Sequence, residues 1–157
     1  NQQYIISMPA IEIAKLIGPQ AVGLGYNVDD HKLAICALMM KERVSKIEDI
    51  LTDAYFLFEE PKVYDKETWG KKYKEENKKH FEAIASTLST SSDESREHLE
   101  FLVKDYIGNH SLKMGEILPI LRIALTGTMQ GPDLFDTMSF LGGTTSGQRI
   151  VEAINNI

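Results

Sequence analysis

The residues best suited to chemistry lie together in one segment of the chain, residues 121–134. It reads LRIALTGTMQGPDL: Arg122 lies on an otherwise apolar helix, Gly127 ends that helix, and Pro132 predicts the start of the next one. Proline suits a first helical position because the N–H that it lacks would be unsatisfied there anyway. The N–H groups that follow would face outward at the positive end of a helix dipole. This combination suits a flat, polar, anionic ligand.

Arg122 is the strongest single candidate for binding such a ligand. We predict that its planar five-donor guanidinium reads a base edge or holds a phosphate. The alternative is that Arg122 reaches from the helix to solvent or pairs with a neighbouring acid. Met129, Gln130 and Leu134 would supply an apolar wall and an amide for an unstacked base.

The rest of the sequence predicts neither a metal site nor an enzyme. Paired metal-ligand spacing is absent from all four histidines: His31, His80, His98 and His110. Gly23-Leu24-Gly25 and Gly142-Gly143 follow no strand and are too sparse for a nucleotide-binding loop. No nucleophile is paired with a base. We therefore expect no catalytic activity, no metal and no cofactor in this chain.

The charge of the chain is acidic overall but unevenly distributed. A net charge of −6 argues mildly against a nucleic-acid partner, because phosphate binding depends on Lys and Arg. Residues 62–79 hold seven lysines against four acids, whereas residues 81–157 hold five basic and ten acidic groups. A binding surface would therefore be polarised, and the C-terminal half would recognise its partner through a few placed groups.

The composition is that of a folded protein, with 157 residues, 43% hydrophobic and 25% charged. No apolar run reaches the roughly 18 residues that span a bilayer, and no signal-peptide pattern opens the chain. The single cysteine, Cys36, lies in an apolar helix, as expected for a buried thiol in a reducing cytosol. We expect a cytoplasmic protein. Because the chain begins with Asn1 and not methionine, we also expect an excised fragment.

Helices must position the candidate residues, because the apolar residues follow helical periods and almost never alternate. The pattern predicts an all-α protein of roughly nine helices, in two packed lobes that meet near residues 61–80. We place the domains at 1–65 and 66–157. We interpret the run Lys71-Lys72-Tyr73-Lys74, together with Trp69, as a solvated linker face or as a face that attracts phosphate. Helix starts are predicted by Pro9, by Asp29 or Asp30, and by capping boxes at Ser45, Ser91 and Thr145. Helix stops are predicted at Gly18, Gly108, Gly127 and Gly142.

The order of these motifs resembles one known family. The pattern L-R-x-A-L-T-G-x-x-x-G-P-x-L at residues 121–134, followed by Leu141-Gly142 and residues 149–154, is similar to the C-terminal end of bacterial glutamyl-tRNA synthetases. In the N-terminal half, residues 38–43 (LMMKER) and 55–61 (YFLFEEP) resemble the K-E-R and F-F-x-x-P helices of that family. The resemblance covers nearly all of the chain.

The resemblance implies an anticodon-binding α-helical cage whose partner is the anticodon arm of glutamate tRNA. Carried over position by position, it assigns four residues to the first anticodon base: Arg122, Gly131, Pro132 and Leu134. The position of Gly131 varies in the family, so backbone contact is the expectation there. Four further residues are candidates for contact with the tRNA backbone, or else lie on a solvated helix face: Arg43, Lys46, Lys71 and Lys72.

The resemblance also implies a parent glutamate–tRNA ligase that uses ATP and Mg in a catalytic domain outside this chain. The H-I-G-H-like and K-M-S-K-S-like signatures of class I catalytic domains do not occur here. We expect a monomer without DNA or membrane partners. Two alternatives stay open. One is a freestanding helical protein-interaction module. The other is the anticodon domain of a class I lysyl enzyme or of a glutamyl enzyme that also charges glutamine tRNA.

Overall fold

The predicted all-α class is confirmed. The computed structural model describes residues 2–157, and over that range the chain forms helices and no strand. The α-helices are α1 (Gln2–Ser7), α2 (Ala10–Gly23), α3 (Asp30–Met40), α4 (Asp49–Asp53), α5 (Lys66–Lys72), α6 (Lys78–Thr90), α7 (Arg96–Asn109), α8 (Met114–Thr126), α9 (Leu134–Leu141) and α10 (Gly143–Asn156). Two 3₁₀ turns cover Tyr55–Leu57 and Glu75–Asn77. No helix in the described range is long and apolar enough to cross a membrane.

Two compact units share the chain. The first unit contains the residues up to Glu59 together with Gly131–Asp133, and the second contains Glu60–Gln130 together with Leu134–Ile157. The domain limits 1–65 and 66–157 remain a prediction.

In the first unit, the predicted helix stop at Gly18 is wrong. Helix α2 runs through Gly18 and Pro19, because its buried stripe continues on both sides of them: Ile13, Ala14, Ile17 and Ala21. The helix ends instead at Gly23, and Gly25, two residues beyond it, adopts a left-handed φ of 83°. There the N–H of Tyr26 donates to the carbonyl of Ala21 at 2.9 Å, which is a Schellman ending.

The predicted start of α3 is confirmed and the start predicted at Ser45 is wrong. The carboxylate of Asp29 accepts a hydrogen bond from the backbone N–H of Lys32 at 2.8 Å, as a helix cap should. No helix begins at Ser45, since α4 starts only at Asp49 and has no side-chain cap. The backbone carbonyl of Glu48 instead accepts from the side chain of Gln20 at 3.1 Å, a contact that local sequence does not reveal.

The second unit is held together by a close approach of α10 to α6. A Cβ atom added at Gly143 would lie 2.1 Å from the backbone oxygen of Leu88, and one added at Gly147 would lie 2.7 Å from that of Ala85. Both distances are far below a van der Waals contact, so only glycine fits at these two positions. The apolar faces of the two helices form part of one buried core with α7, α8 and α9.

The capping boxes predicted at Ser91 and Thr145 are wrong for a common reason. Helix α7 is capped by Ser95, whose hydroxyl accepts from the N–H of His98 at 3.3 Å. The carboxylate of Glu94 is engaged elsewhere, because it accepts from the N–H of Gly143 at the start of α10. Helix α10 therefore begins two residues before Thr145, at a position that Glu94, which precedes α7, helps to cap.

Of the remaining glycine stops, Gly108 is wrong, while Gly127 and Gly142 are confirmed. Helix α7 passes through Gly108, and the left-handed residue that ends it is Ser111, with a φ of 53°. The N–H of Leu112 donates to the carbonyl of Ile107 at 3.0 Å and closes the turn. Gly127 and Gly142 follow α8 and α9 with φ values of 82° and 86°.

Residues 66–72 form α5, so the run at residues 69–74 is not a linker, but its lysines are exposed, as the predicted solvated face requires. Asp65 caps α5 by accepting from the N–H of Thr68 at 2.9 Å. Trp69 is buried, and its ring stacks on Tyr73 with centroids 5.2 Å apart. Both side chains pack against the core of the second unit, and the lysines between them face solvent.

Candidate nucleic-acid interface

The candidate arginine lies on the last turns of an apolar helix. Helix α8 buries seven of its thirteen residues, and six of these lie between Ile120 and Thr126. Arg122 is the only residue of that stretch that is not buried; it is half-exposed. The fold of the second unit therefore fixes the backbone of Arg122 from both sides, while its side chain emerges at the surface.

The turn that follows α8 is held tightly by residues 61–65. The N–H of Gly127 donates to the carbonyl of Ile123 at 2.7 Å, and the carbonyl of Gly127 accepts from the N–H of Asp65 at 2.8 Å. A Cβ atom at Gly127 would lie 2.2 Å from the carbonyl oxygen of Val63. The left-handed φ and this contact both require glycine, so the sequence signal of a stop here has two physical causes.

Two threonine hydroxyls order the turn from within. The buried hydroxyl of Thr126 lies 2.8 Å from the carbonyl oxygen of Arg122 and 2.9 Å from that of Thr128, and it accepts from the N–H of Thr128 at 3.2 Å. The hydroxyl of Thr128 in turn accepts from the N–H of Gln130 at 3.0 Å. The backbone is thus fixed up to Gln130, whose side chain is exposed. We call residues 126–130 the α8 turn.

Arg149 contacts the end of α8, although it is not among the site residues predicted from the sequence. It lies on α10, is only 8% exposed, and donates from Nη1 to the carbonyl of Leu125 at 2.7 Å. One signal could have found it. Arg149 falls between Ser146 and Ile150 on the face of α10 that carries the apolar residues, where a solvated arginine is not expected.

The four residues assigned to the first anticodon base are divided between the units. Arg122 and Leu134 belong to the second unit, whereas Gly131 and Pro132 belong to the first. Leu134 is 4% exposed and is part of the core of its unit. Gly131 has a φ of 126°, and a Cβ atom there would lie 3.8 Å from the ring of Phe56.

The prediction that Pro132 opens a helix is wrong. Helix α9 begins at Leu134, two residues later. The unsatisfied N–H groups of a helix are those of its first turn. In this chain the first turn of α9 starts at Leu134, and Pro132 lies in the segment that leads to it.

The candidates for contact with a tRNA backbone are exposed in both units. Arg43 and Lys46 lie in the connection between α3 and α4, and Lys71 and Lys72 end α5. Lys71 forms a pair with Glu67 at 3.2 Å, but both side chains are more than 70% exposed. A pair of this kind contributes little to stability, so it would not compete strongly with a phosphate.

Two carboxylates that interact with lysines of the second unit have lowered pKa values. The pKa of Asp65 is lowered chiefly by its hydrogen bond from the backbone of Thr68. The pKa of Glu116 is lowered by its hydrogen bond from Lys74, whose own pKa is raised by the same contact at 2.7 Å. Lys74 is therefore engaged by an acid of α8. No three His, Cys, Asp or Glu side chains within residues 2–157 are grouped so that they could hold a metal ion.

Comparison with known proteins gives a consistent result across nearly the whole chain. A family model described as an anticodon binding domain matches residues 10–154. The chain is similar to a glutamate–tRNA ligase of Porphyromonas gingivalis, with 34% identity over 98% of this chain and 30% of that protein. A glutamate–tRNA ligase of Phocaeicola vulgatus is 30% identical over the same shares.

Solved structures give the same result. A glutamate tRNA ligase from Elizabethkingia meningosepticum superposes with a TM-score of 0.92 at 27% identity, covering 99% of this chain and 31% of that one. A glutamate–tRNA synthetase from Elizabethkingia anophelis superposes with a TM-score of 0.85 at 29% identity, covering 99% and 30%. The chain spans about three-tenths of the length of the proteins that it matches.

Proposed function

Because the chain belongs to the anticodon-binding domain family, we propose that it recognises the anticodon of glutamate tRNA as part of a glutamate–tRNA ligase. The observation that carries this proposal is the match of that family model to residues 10–154. The names of the similar proteins support the choice of glutamate. Within the parent enzyme, binding energy gained at the anticodon would place the acceptor end in a distant active site.

In this proposal Arg122 reads the first anticodon base. Its half-exposed side chain leaves a helix whose other late residues are buried, so the guanidinium is presented from a fixed backbone. Gly131 and Pro132 contribute through their backbone, and Leu134 through the amide that begins α9. The buried side chain of Leu134 packs in the core of its own unit. The exposed amide of Gln130 is available for a second polar contact.

Contact with the tRNA backbone is proposed for Arg43, Lys46, Lys71 and Lys72. All four are exposed, and phosphate contacts release counterions, so binding should weaken as salt rises. Replacing Lys71 and Lys72 by alanine should weaken binding of every tRNA about equally and reduce the salt dependence. Lys104→Ala is the matched control, because Lys104 lies on α7 and pairs with Glu100 at 2.7 Å.

The activity of the whole enzyme is part of the same proposal. It would attach glutamate to its tRNA with ATP and Mg held in the catalytic domain, as a monomer in the cytoplasm. The family match assigns anticodon binding to this chain and none of the catalytic steps. The purified chain should therefore show no glutamate-dependent exchange of pyrophosphate with ATP.

Binding of the 157-residue chain to three transcripts tests the proposal. They are glutamate tRNA, the same tRNA with a substituted anticodon, and an unrelated tRNA, each measured by filter binding at two salt concentrations. Tighter binding of glutamate tRNA at both salt concentrations is expected. Equal binding of all three would refute recognition of the anticodon, and no binding of any of them would favour the freestanding protein-interaction module. Glutamine tRNA as a fourth transcript decides whether the chain tolerates both anticodons.

A further inference from the structure

Arg149 occupies a position where an apolar side chain would be the simpler choice. It is 8% exposed on the face of α10 that packs into the core of the second unit. Removing a guanidinium from water is unfavourable, and a well-packed apolar residue of similar volume is often at least as stabilising as a buried charge. Packing alone therefore does not account for an arginine here.

The contact made by Arg149 accounts for it better. Its Nη1 donates to the carbonyl of Leu125 at 2.7 Å. Leu125 is the penultimate residue of α8, and the last carbonyls of a helix have no partner within the helix. A cation at that end also interacts favourably with the helix dipole. Because Gly127 ends the helix, the carbonyl of Leu125 has no helical N–H donor, and Arg149 donates to it instead.

Leu125 lies between the two features that the proposed function requires. Arg122 precedes it by three residues, and the α8 turn begins at the next residue. The hydroxyl of Thr126 joins the same two features, since it contacts the carbonyl oxygens of both Arg122 and Thr128. Fixing the Leu125 carbonyl therefore restricts the peptide plane on which the orientation of the α8 turn depends.

We propose that Arg149 is a positioning residue for anticodon recognition, acting through the end of α8 on Arg122 and the α8 turn. The inference rests on the proposed function. Arg149 touches no tRNA in this scheme; it acts through its hydrogen bond to the Leu125 carbonyl inside the second unit. Its loss should reduce discrimination between tRNAs more than it reduces overall affinity.

The first arm of the test needs no tRNA. Amide hydrogen exchange is measured on the wild-type chain, on Arg149→Met and on Arg96→Met. Arg96 is the matched control, because it is a half-buried arginine on α7 that pairs with Glu100 and Asp136 at 2.9 Å and 3.1 Å. Arg149→Met should speed exchange at Thr128 and Gln130 at least about tenfold, while amides of α6 stay protected. Unchanged exchange in the α8 turn overturns the positioning role.

The second arm measures the affinity ratio for glutamate tRNA and its anticodon-substituted form. A base contact is worth on the order of tenfold in discrimination, and Arg149→Met should lose a similar factor. The double variant Arg122→Ala with Arg149→Met should discriminate no worse than Arg122→Ala alone, because coupled residues are not additive. A ratio that stays at the wild-type value, or an additive double variant, overturns the inference.

A third variant keeps the result decisive if Arg149→Met does not fold. Arg149→Lys keeps the charge and a donor but lacks the planar fork, so it should fold and show an intermediate loss of discrimination. Full discrimination by Arg149→Lys together with an unfolded Arg149→Met assigns Arg149 to stability alone and overturns the inference. A wild-type chain that binds both tRNAs equally refutes the proposed function, whereas the exchange arm still decides whether Arg149 orders the α8 turn.

Discussion

Gly143→Ala should destabilise the second unit although alanine is the better helix former. A Cβ atom at this position would lie 2.1 Å from the backbone oxygen of Leu88. An ordinary carbon–oxygen contact is about 3.3 Å, so α10 would have to move about 1.2 Å away from α6. Neither partner can rotate away, because the obstructing atom belongs to the backbone of a helix.

The size of the effect follows from that displacement. Overpacked cores lose about 1–3 kcal/mol, and a gap of about 1 Å across the rest of an interface forfeits up to half of its dispersion energy. We expect a loss of about 3 kcal/mol. For a chain of this size that corresponds to a fall in Tm of about 6–12 °C.

Gly108→Ala is the matched control for this experiment. Gly108 also lies in a helix of the second unit, but no heavy atom lies within 4 Å of its added Cβ. Alanine should therefore stabilise the chain there by about 0.5–1 kcal/mol, through its smaller loss of backbone freedom. Both variants are compared by thermal unfolding followed by circular dichroism. A Tm for Gly143→Ala equal to or above wild type would refute the close approach of α10 to α6.

Three further predictions follow from single residues. Arg122→Ala should reduce discrimination against an anticodon-substituted tRNA by about 1–3 kcal/mol, as measured by filter binding, with little change in Tm. A fall in Tm with unchanged discrimination would assign Arg122 a structural role. Because the pKa of Asp65 is lowered from 3.8, its cap should contribute fully above the unfolded value of about 3.9 and be lost as the pH falls through the lowered value. Fluorescence of the single tryptophan, Trp69, should report that loss, and Asp65→Asn should remove the pH dependence; an unaltered titration would contradict it. Burial raises the pKa of the Cys36 thiol to about 12. A thiol reagent at neutral pH should therefore modify the chain only after denaturant is added. Rapid modification of the native chain would contradict this prediction and show that Cys36 is accessible.

The sequence predicted most reliably those features that depend on neighbouring residues. The cap at Asp29 and the stop at Gly127 both follow from one side chain or one φ angle, and both are confirmed. The helical class follows from the spacing of apolar residues, which is a property of each helix alone. These features need no knowledge of which helix packs against which.

The errors arise where a distant residue decides a local outcome. Glu94 has the spacing of a capping box with Ser91, yet its carboxylate accepts from the N–H of Gly143, 49 residues away. Helix α2 passes Gly18 because apolar residues on both sides of it are buried. Trp69 looks like part of a charged linker until the core that contains it is known. The role of Arg149 is not predicted from the sequence for the same reason, since the carbonyl that it contacts lies on another helix.

The dependence of α6 on α10 has a consequence for synthesis on the ribosome. Helix α6 is made more than fifty residues before α10, and its face at Ala85 and Leu88 stays uncovered until the glycines of α10 arrive. Contacts of such large sequence separation form late and leave apolar surface exposed in the meantime. The growing chain should therefore remain a substrate for chaperones until α10 has emerged, and a chain cut short before Gly143 should aggregate, not fold.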